Sequence, residues 1–472
     1  MNTYEHKYNK LKSRYLRLKT GGVGFITLEL QLYSTKTPSK KSFCSILNDG
    51  TVMVWGKKEI GGELSKDDAI DMKTIGVINV YSTDGAFCAL LNDGSVRVWG
   101  EERFGGVFPY KYIQYMNKNN VIVINVYSTN HEFCVILSDG SVQVWGGRLY
   151  MDKERFDGTL GGILSYKYAK EMSNIGVMEV YSTDGAFCAL LNDGSVRVWG
   201  NKEYAGVLPV KCIEEMDGKI VIDVYSTTRT FCAILNDGSV IVWGDDLSDR
   251  YSDGLSESDA SDMKTIGVMN MYSTNGAFCA LLNDGSVRVW GNKVYGGILS
   301  KTSVKMINNN KIINFYSNKD TFCAILRDGS VIVWGGRFGD ELLEIIYGKT
   351  IINVCSTDDS FCALLNDGSV RVWGEEEISN ANMKIMKGKK VINVNSTNYA
   401  FCLTLDDGSV IVFGDEQYGG KLPVKSIEEM KGKDVINLYS TDTAFCATLS
   451  DGSVHIWGAQ NKNLRKFKIR LR

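Results

Sequence analysis

The side chains best able to carry metal or nucleophilic chemistry in this 472-residue chain are twelve cysteines and three histidines. A zinc site needs closely spaced ligands such as Cys-x-x-Cys, and no such pair occurs. His6, His131 and His455 stand far apart in different segments, and the Gly-Gly pairs lack the Gly-x-x-x-x-Gly-Lys-Ser/Thr pattern of a phosphate-binding loop. The sequence therefore predicts no metal ion, no cofactor and no catalytic residue, and a protein that is not an enzyme.

The cysteines follow a pattern of a different kind. Ten of them occupy one equivalent position of a repeated segment: Cys44, Cys88, Cys134, Cys188, Cys232, Cys279, Cys323, Cys362, Cys402 and Cys446. Equivalent positions in successive repeats lie too far apart for general disulfide pairing. We therefore expect these cysteines to act as small buried apolar residues. Cys212 and Cys355 fall outside the pattern.

The repeated segment reads AFCALLNDGSVRVWG at Ala86–Gly100, and residues 186–200 and 277–291 are identical to it. Diverged copies bring the number to ten, spaced 39 to 54 residues apart. An aromatic residue precedes the terminal glycine of every copy: Trp55, Trp99, Trp145, Trp199, Trp243, Trp290, Trp334, Trp373, Phe413 and Trp457. The spacing is typical of propeller blades and not of helical hairpins. We expect the aromatic position to pack between blades.

Each copy also predicts its own strands. Val77–Thr83 is rich in β-branched and aromatic residues, and the strand after it ends at Asp93-Gly94. Asp-Gly favours a type I′ turn, with both residues at positive φ, between antiparallel strands. The fold class is therefore all-β, a β-propeller of about ten repeats. A single ring is favoured, and a seven-bladed ring with extra blades is the alternative.

Linkers between several copies carry an aromatic residue followed by Gly-Gly, as at Phe104-Gly105-Gly106, and then a short helical pattern in which Ile427 and Met430 share a face. The linkers after Trp243 and Trp373 lack Gly-Gly, which predicts irregular blades there. Arginine alternates with Gln or Ile two residues before the aromatic position: Arg97, Gln143, Arg197, Ile241, Arg288, Ile332, Arg371 and Ile411. Duplication of a two-repeat unit explains this alternation, which fits an even number of blades.

The two ends of the chain differ from the repeats. Residues 1–24 form a basic amphipathic segment whose stripe consists of Tyr4, Tyr8, Leu11, Tyr15 and Leu18, with Lys12, Arg14 and Arg17 among the charges around it. It could dock on a partner or on an anionic surface, or pack against the propeller. Residues 25–459 hold the repeats. Residues 460–472 are a basic strand pattern predicted to close the ring, and residues 26–32 also alternate as a strand does.

Composition limits where and how the protein works. The net charge is −2, from 53 basic and 55 acidic residues, so the surface as a whole does not attract nucleic acid, which could bind only through the basic termini. No apolar run is long enough to span a bilayer, and the N-terminus lacks the apolar core of a signal peptide. We expect an intracellular protein, not secreted by a signal peptide.

The phrase F-C-A-L-L-N-D-G-S-V-x-V-W-G, with Gly-Gly-x-L after it, resembles the regulator of chromosome condensation repeat over residues 28–458. The resemblance implies a β-propeller that binds proteins, in some members small GTPases or chromatin. Phe87, Phe187 and Phe278 stand where that family usually has histidine, and its usual count is seven blades. The opening MNTYEHKYNKLKSRYLRLKTGG looks like the start of many proteins of giant amoeba-infecting DNA viruses, which would place the protein in the host cytoplasm, the virus factory or the virion.

The predicted function is a non-enzymatic scaffold for protein–protein interaction. The partner is a protein that the sequence does not identify, and self-association is left open. Two alternatives remain: a structural virion component, and a regulator of a small GTPase, by nucleotide exchange, or of chromatin. The loops at 147–158 and 245–261 are candidate contact regions, because polar insertions on a rigid scaffold often bind partners.

Overall fold

The computed structural model describes residues 31–34, 42–46, 50–147, 164–244, 252–336, 342–346 and 348–458. Within these residues the chain forms ten antiparallel sheets in sequence order, one for each copy of the repeat. We call them blade 1 to blade 10. Eight blades have three strands, and blades 6 and 7 have four. The prediction of an all-β fold with ten repeats is confirmed.

The first five blades contain fifteen strands. Blade 1 is β1 (Gln31–Ser34), β2 (Ser42–Ile46) and β3 (Val52–Gly56); blade 2 is β4 (Val77–Ser82), β5 (Ala86–Leu91) and β6 (Val96–Gly100). Blade 3 is β7 (Val123–Ser128), β8 (Glu132–Leu137) and β9 (Val142–Gly146); blade 4 is β10 (Val177–Ser182), β11 (Ala186–Leu191) and β12 (Val196–Gly200). Blade 5 is β13 (Val221–Ser226), β14 (Thr230–Leu235) and β15 (Val240–Gly244).

The last five blades contain seventeen strands. Blade 6 is β16 (Ser252–Asp253), β17 (Val268–Ser273), β18 (Ala277–Leu282) and β19 (Val287–Asn292); blade 7 is β20 (Ile312–Ser317), β21 (Thr321–Leu326), β22 (Ser330–Gly335) and β23 (Leu342–Ile345). Blade 8 is β24 (Ile351–Ser356), β25 (Ser360–Leu365) and β26 (Val370–Gly374). Blade 9 is β27 (Val391–Ser396), β28 (Ala400–Leu405) and β29 (Val410–Gly414); blade 10 is β30 (Val435–Ser440), β31 (Ala444–Leu449) and β32 (Val454–Gly458).

Helices occur in the linkers between blades. The α-helices are α1 (Lys66–Ile75), α2 (Tyr110–Asn119), α3 (Tyr166–Ile175), α4 (Val210–Met216), α5 (Glu257–Ile266), α6 (Lys301–Asn309), α7 (Asn380–Met386) and α8 (Val424–Met430). Short 3-10 turns span Lys58–Ile60, Glu102–Phe104, Lys202–Tyr204, Lys293–Tyr295 and Glu416–Tyr418. Helix α8 matches the predicted helical connector. Of the two residues predicted to share a face of this helix, Ile427 is exposed and Met430 packs against the core.

The Asp-Gly hairpin differs in detail from the prediction. Gly94 has φ +77°, but Asp93 does not have a positive φ, so the turn is not type I′. Gly94 N–H donates to the Leu91 carbonyl, so the β-turn spans residues 91–94 and ends on one left-handed residue, Gly94. The Asp93 carboxylate accepts from Ser95 N–H at 2.8 Å and from Ser95 Oγ at 2.7 Å, which favours this turn over type I′.

The Gly-Gly linker brings the chain close to the preceding blade. Gly105 follows its 3-10 turn at φ +91°, and a Cβ added to Gly106 would lie 2.3 Å from the Gly100 carbonyl oxygen. The close approach puts the Gly105 carbonyl where Trp145 Nε1–H donates to it at 2.9 Å. Trp99, Trp334 and Trp457 make the same bond. The aromatic-Gly-Gly motif thus anchors the tryptophan of the following blade.

The core lies between successive blades. Each of nine buried clusters combines the cysteine face of one blade with the phenylalanine and tryptophan of the next, as Cys88 does with Phe133 and Trp145. All ten cysteines of the repeat are free and completely buried, as predicted. Phe87 and Trp99 pack with ring centroids 5.2 Å apart, and equivalent pairs recur in later blades. These interfaces supply the apolar burial that stabilises each blade.

The blades close into one ring. The first strands of successive blades approach each other at every junction except that between blades 7 and 8, and β1 of blade 1 approaches β30 of blade 10 in the same way. The cysteine face of blade 10 is covered although no later blade follows, since Cys446 is fully buried. The favoured single ring is therefore confirmed. Residues 460–472, predicted to close it, lie outside the described residues. Of the predicted strand at 26–32, residues 31 and 32 belong to β1.

The arginine alternation has a structural cause in the linkers. Arg97 lies 2.8 Å from Asp71 of α1, and Arg197 lies 2.6 Å from Glu171 of α3. Arg288 likewise meets Asp262 of α5, whereas Arg371 meets Glu344 of strand β23. By contrast, Ile241 is buried in a cluster that includes Cys212 of α4. Two kinds of linker alternate from blade 2 to blade 7, and the linker before blade 8 carries β23 in place of a helix.

Two irregular blades were predicted, and one of them is irregular. The linker after Trp243 supplies β16, an added strand of blade 6, so part of the proposed loop at 245–261 is strand β16 and the start of α5. Blade 9, after Trp373, is an ordinary three-stranded sheet, and that prediction is wrong. The fourth strand of blade 7, β23, was not predicted. Residues 148–158 of the other proposed loop, 147–158, lie outside the described residues.

Candidate binding surface on the channel wall

The first strand of each blade is the innermost, because first strands approach one another around the ring while third strands contact the linker helices. Ten such strands surround a central channel, as in other propellers.

A β-bulge near the start of every innermost strand turns one side chain out of the sheet. In β4 the register shifts between Val77 and Asn79, so Ile78 is unpaired, and the same shift recurs in the first strand of each of blades 2 to 10. Both faces of each sheet are covered by neighbouring blades, so an exposed side chain here faces the channel. The bulge position is therefore the part of the repeat that a ligand in the channel would meet.

Every bulge residue in blades 2 to 10 is aliphatic. Eight of these side chains are 40 to 61% exposed, and Ile124 is half-buried. We call the set the apolar band: Ile78, Ile124, Met178, Ile222, Met269, Ile313, Ile352, Ile392 and Ile436. Single exposed apolar residues are ordinary, but a contiguous apolar surface marks a place where something binds.

Polar residues next to the band tie the blades together. Tyr127 Oη donates to Glu179 Oε1 of the next blade at 2.9 Å, and Tyr181 Oη donates to Asp223 Oδ1 at 2.8 Å. Burial, followed by the neighbouring carboxylate, raises the pKa of Tyr127, so its hydroxyl keeps the proton it donates. In blade 8 a different residue makes the link, since Cys355 Sγ donates to the Val394 carbonyl.

A second circuit of hydrogen bonds lies at the other end of the innermost strands, in the turn to the second strand. The backbone N–H of Asp84 donates to the Asn130 carbonyl at 2.7 Å, and Asn130 donates in turn to Asp184 at 3.1 Å. This pattern continues through blade 7, and a bond of Lys319 Nζ to Asp358 Oδ2 at 2.6 Å makes the step to blade 8. The wall is therefore held by contacts that do not involve the apolar band.

The charge on the wall has one sign. From the bulge residue to the serine that ends the strand, blades 2 to 10 carry no lysine, arginine or histidine, and two carboxylates, Glu179 and Asp223. A phosphate backbone would find neither a cation nor a compensating charge here. The wall suits an apolar ligand with basic groups around it.

The residues singled out from the sequence lie elsewhere. The aromatic position is 1 to 5% exposed in the nine blades whose side chains the structure describes, so it belongs to the interfaces between blades. Asp93 and Gly94 form the hairpin turn after the second strand, and the Gly94 carbonyl accepts from the N–H of Val123, the neighbour of Ile124 in the band. Trp55 lies in β3. The predicted partner-binding residues, Tyr4, Tyr8, Leu11, Lys12, Arg14, Tyr15, Arg17 and Leu18, lie outside the described residues.

The hairpin aspartates are perturbed for structural reasons. Hydrogen bonds from Ser239, with Lys264 and Lys219 nearby, hold the pKa of Asp237 well below its ordinary value. A bond from Lys389, followed by bonds from Ser409, lowers the pKa of Asp407 to about 2. Such shifts stabilise the ionised turn and need no catalytic role.

One buried carboxyl departs from the pattern. Glu132 occupies a position that is alanine in blades 2 and 4, and burial raises its pKa to about 8. Its Oε2 atom has no hydrogen-bond partner, and neither has the buried Oε1 of Gln143. Within the described ranges, no three His, Cys, Asp or Glu residues are grouped so that they could hold a metal ion. No helix in the same ranges is long and apolar enough to cross a membrane.

Sequence reasoning missed the apolar band. Val77 and Ile78 are adjacent aliphatic residues, and a regular strand would put them on opposite faces, each against a neighbouring blade. The bulge removes Ile78 from that alternation. The one available signal was that a Val-Ile, Val-Met or Ile-Ile pair begins the innermost strand of blades 2 to 10.

The chain matches no protein-family model and no curated protein. Among solved structures it is similar to Prp20p of Saccharomyces cerevisiae, studied with its binding to Gsp1p and histones, at 16% identity over 75% of this chain and 95% of that chain, TM-score 0.37. Yeast RCC1 (Prp20) bound to Kap60 is similar at 11% identity over 94% and 96%, TM-score 0.34. The CRINKLY WD40 ectodomain of the Arabidopsis thaliana receptor kinase ACR4 is similar at 16% identity over 68% and 100%, TM-score 0.34.

These TM-scores are too low to identify the fold by superposition, so the number and order of the sheets identify it instead. The similar structures named above are not viral, and the resemblance of residues 1–24 to viral proteins stays a prediction. The protein is a β-propeller of ten blades, one for each copy of its repeat.

Proposed function

We propose that this propeller is a binding scaffold that holds an apolar, basic polypeptide segment of a partner protein in its channel. The observation that carries the proposal is the apolar band, which leaves eight aliphatic side chains exposed on one inner surface. These residues contribute little to the fold, because the tyrosine links and the circuit of backbone bonds hold the wall without them. Burying the band against a partner would be favourable, because it would transfer apolar side chains that are exposed to water in the ring into an apolar contact.

A protein segment fits this surface better than nucleic acid does. From the bulge residue to the closing serine, the innermost strands of blades 2 to 10 have no cation to contact phosphate, whereas Glu179 and Asp223 favour lysine or arginine beside apolar side chains. Nucleotide exchange on a small GTPase, chromatin binding and assembly into a virus particle remain predictions of the two resemblances. A nucleotide-release assay and mass spectrometry of purified particles are their tests.

The experiment selects 16-residue peptides from a display library on the full chain and measures their affinity by fluorescence anisotropy. We expect apolar peptides with basic residues, and a loss of about tenfold or more in affinity for the variant I313D/I352D/I392D. The matched control puts the same charges on exposed aliphatic residues of the outer helices, V210D/I213D/I427D, and should bind within about twofold.

Thermal melts establish that both variants fold, and I313S/I352S/I392S replaces the aspartate variant if its melt is lowered. If the outer-helix variant loses the peptides and the channel variants keep them, the channel is not the binding surface. Selected peptides whose affinity depends on neither set would also overturn the proposal.

A further inference from the structure

Three polar side chains of the channel wall form a linked chain at the junction between blades 3 and 4. Asn125 Nδ2 donates to Tyr127 Oη at 2.7 Å, and Tyr127 Oη donates to Glu179 Oε1 at 2.9 Å. Asn125 and Tyr127 belong to β7, and Glu179 follows the bulge of β10. The wall side chains at this junction therefore satisfy one another across two blades.

The same three positions are not linked at the junction between blades 7 and 8. They hold Asn314 and Tyr316 of β20 and Asn353 of β24. Within the part of the chain that the structure describes, none of these three side chains makes a hydrogen bond. Asn314 and Asn353 are exposed, and Tyr316 is half-buried on the side of blade 7 that faces blade 8.

The tyrosine position shows that this junction is unusual. In blades 2 to 6 the hydroxyl of the equivalent tyrosine always has a hydrogen-bond partner: Tyr81, Tyr127, Tyr181, Tyr225 and Tyr272. Where the bond crosses to the next blade, it ends on the residue after the bulge, which in blade 8 is Asn353. Tyr316 and Asn353 are thus the two ends of a link that is not made.

The backbone is also open at this junction. β20 and β24 do not approach each other as the first strands of other neighbouring blades do. The bond of Lys319 Nζ to Asp358 Oδ2 stands where the other steps of the circuit use backbone groups. Phe361 and Trp373 of blade 8 are nevertheless buried against blade 7. The opening is therefore confined to the channel side, where it forms a groove in the wall.

The chemistry of the groove matches a polypeptide main chain. An asparagine amide has one carbonyl acceptor and two N–H donors, and a tyrosine hydroxyl can donate and accept. A peptide group has one N–H and one C=O, so it can pair with an asparagine side chain through both. Peptide groups inside an α-helix are already bonded to each other. The groove therefore suits an extended segment, whose peptide groups are free.

We infer that this groove, with Asn314, Tyr316 and Asn353, holds the partner segment in an extended conformation through hydrogen bonds to its main-chain peptide groups. The inference rests on the proposed function, because it assigns a specific subsite to the same channel. Ile313 and Ile352, which are 54% and 61% exposed, border the groove and bury the apolar side chains beside the bonded peptide groups. The subsite fixes where the segment is anchored, and the rest of the band adds apolar contact.

A pair of double variants of the full chain tests the subsite, with the peptides selected on the unaltered chain as probes. N314A/N353A removes two amides that the ring does not use, so it should weaken peptide binding about tenfold and leave the melting temperature unchanged. The matched control, N125A/N393A, removes two amides that are bonded within the wall. It should lower the melting temperature and keep the affinity within about twofold. Unchanged affinity in N314A/N353A would overturn the inference.

N-methylation of single peptide groups along one selected peptide tests whether the main chain is recognised. On the unaltered chain, methylation at the anchored positions should weaken binding about tenfold, because it removes the N–H that an asparagine oxygen accepts. On N314A/N353A the same methylated peptides should bind within about twofold of the unmethylated one, because the acceptor is already gone. Equal losses on the two proteins would contradict the inference.

The two proposals fail in different ways. If the selected peptides do not depend on Ile313, Ile352 and Ile392, the proposed function is wrong. If they depend on these three residues but not on Asn314 and Asn353, the channel binds the segment without this subsite, and only the inference is wrong.

Discussion

The interfaces between blades and the wall of the channel are built from the same strands but use apolar residues in opposite ways. In β20 of blade 7, Ile312 packs into the cluster between blades 6 and 7, while its neighbour Ile313 is 54% exposed in the channel. The interface residues are buried by the folding of the ring itself. The apolar band stays exposed in the folded ring. The residue type alone therefore does not show whether an isoleucine belongs to an interface between blades or to the band.

The largest expected effect separates the two regions directly. Phe322 is fully buried between blades. Phe322→Ala should lower the free energy of unfolding by about 3–5 kcal/mol, because it removes buried apolar surface and leaves a cavity. Ile313→Ala in the same blade should change the free energy of unfolding by less than about 0.5 kcal/mol, as exposed substitutions usually do. Chemical denaturation measures both. A loss of more than about 2 kcal/mol for Ile313→Ala would show that the band is structural.

Glu132 tests how a buried carboxyl group near an interface between blades changes the free energy of unfolding. Burial raises its pKa from about 4.5 to about 8, so the folded chain keeps a proton that the unfolded chain loses. The free energy of unfolding should therefore fall as pH rises across that window, by up to about 1.4 kcal/mol per pH unit. Glu132→Ala should flatten this slope between pH 5 and pH 7.5, measured by denaturation at each pH. Glu132→Gln should flatten it too, and Glu132→Asp should retain it. An unchanged slope in Glu132→Ala would contradict the assignment.

The smallest expected effect concerns the tryptophan anchor. Trp334 and Trp243 are equally buried, but Trp334 Nε1–H donates to Gly296 at 3.1 Å while Trp243 Nε1 has no partner. The linker before Trp243 has Ala205 at the left-handed position where others have glycine. Trp334→Phe should cost about 1 kcal/mol more than Trp243→Phe, because only the first loses a hydrogen bond. Equal losses would mean that the Gly-Gly linker does not stabilise the blade through this bond.

Most of the fold could be predicted from the sequence, because the same strand and turn pattern occurs in ten copies of the repeat. The Phe-Cys strand, the Asp-Gly hairpin and the closing Trp-Gly each carry a local signal that ten copies make unambiguous. The turn type was missed, since Asp93 binds Ser95 instead of adopting a positive φ. Strand β23 was missed because its linker carries no turn signal of the kind that marks the other hairpins.

The candidate site was harder to predict for a physical reason. A bulge inserts one residue into a strand without changing its composition, and nothing in the Val-Ile-Asn-Val of β4 distinguishes a bulged strand from a regular one. Sequence patterns pointed instead to the basic N-terminal segment, whose charge and stripe are visible without any neighbour.

The sequence by itself determined the repeating unit, the number of blades and the residues that fill the spaces between them, because strand alternation and hairpin turns depend on near neighbours. Only the tertiary structure decided that ten blades close on each other and that one aliphatic residue per blade in blades 2 to 10 meets a common channel. Closure depends on the angle between packed sheets. That angle arises from the sum of many contacts, and no single residue encodes it.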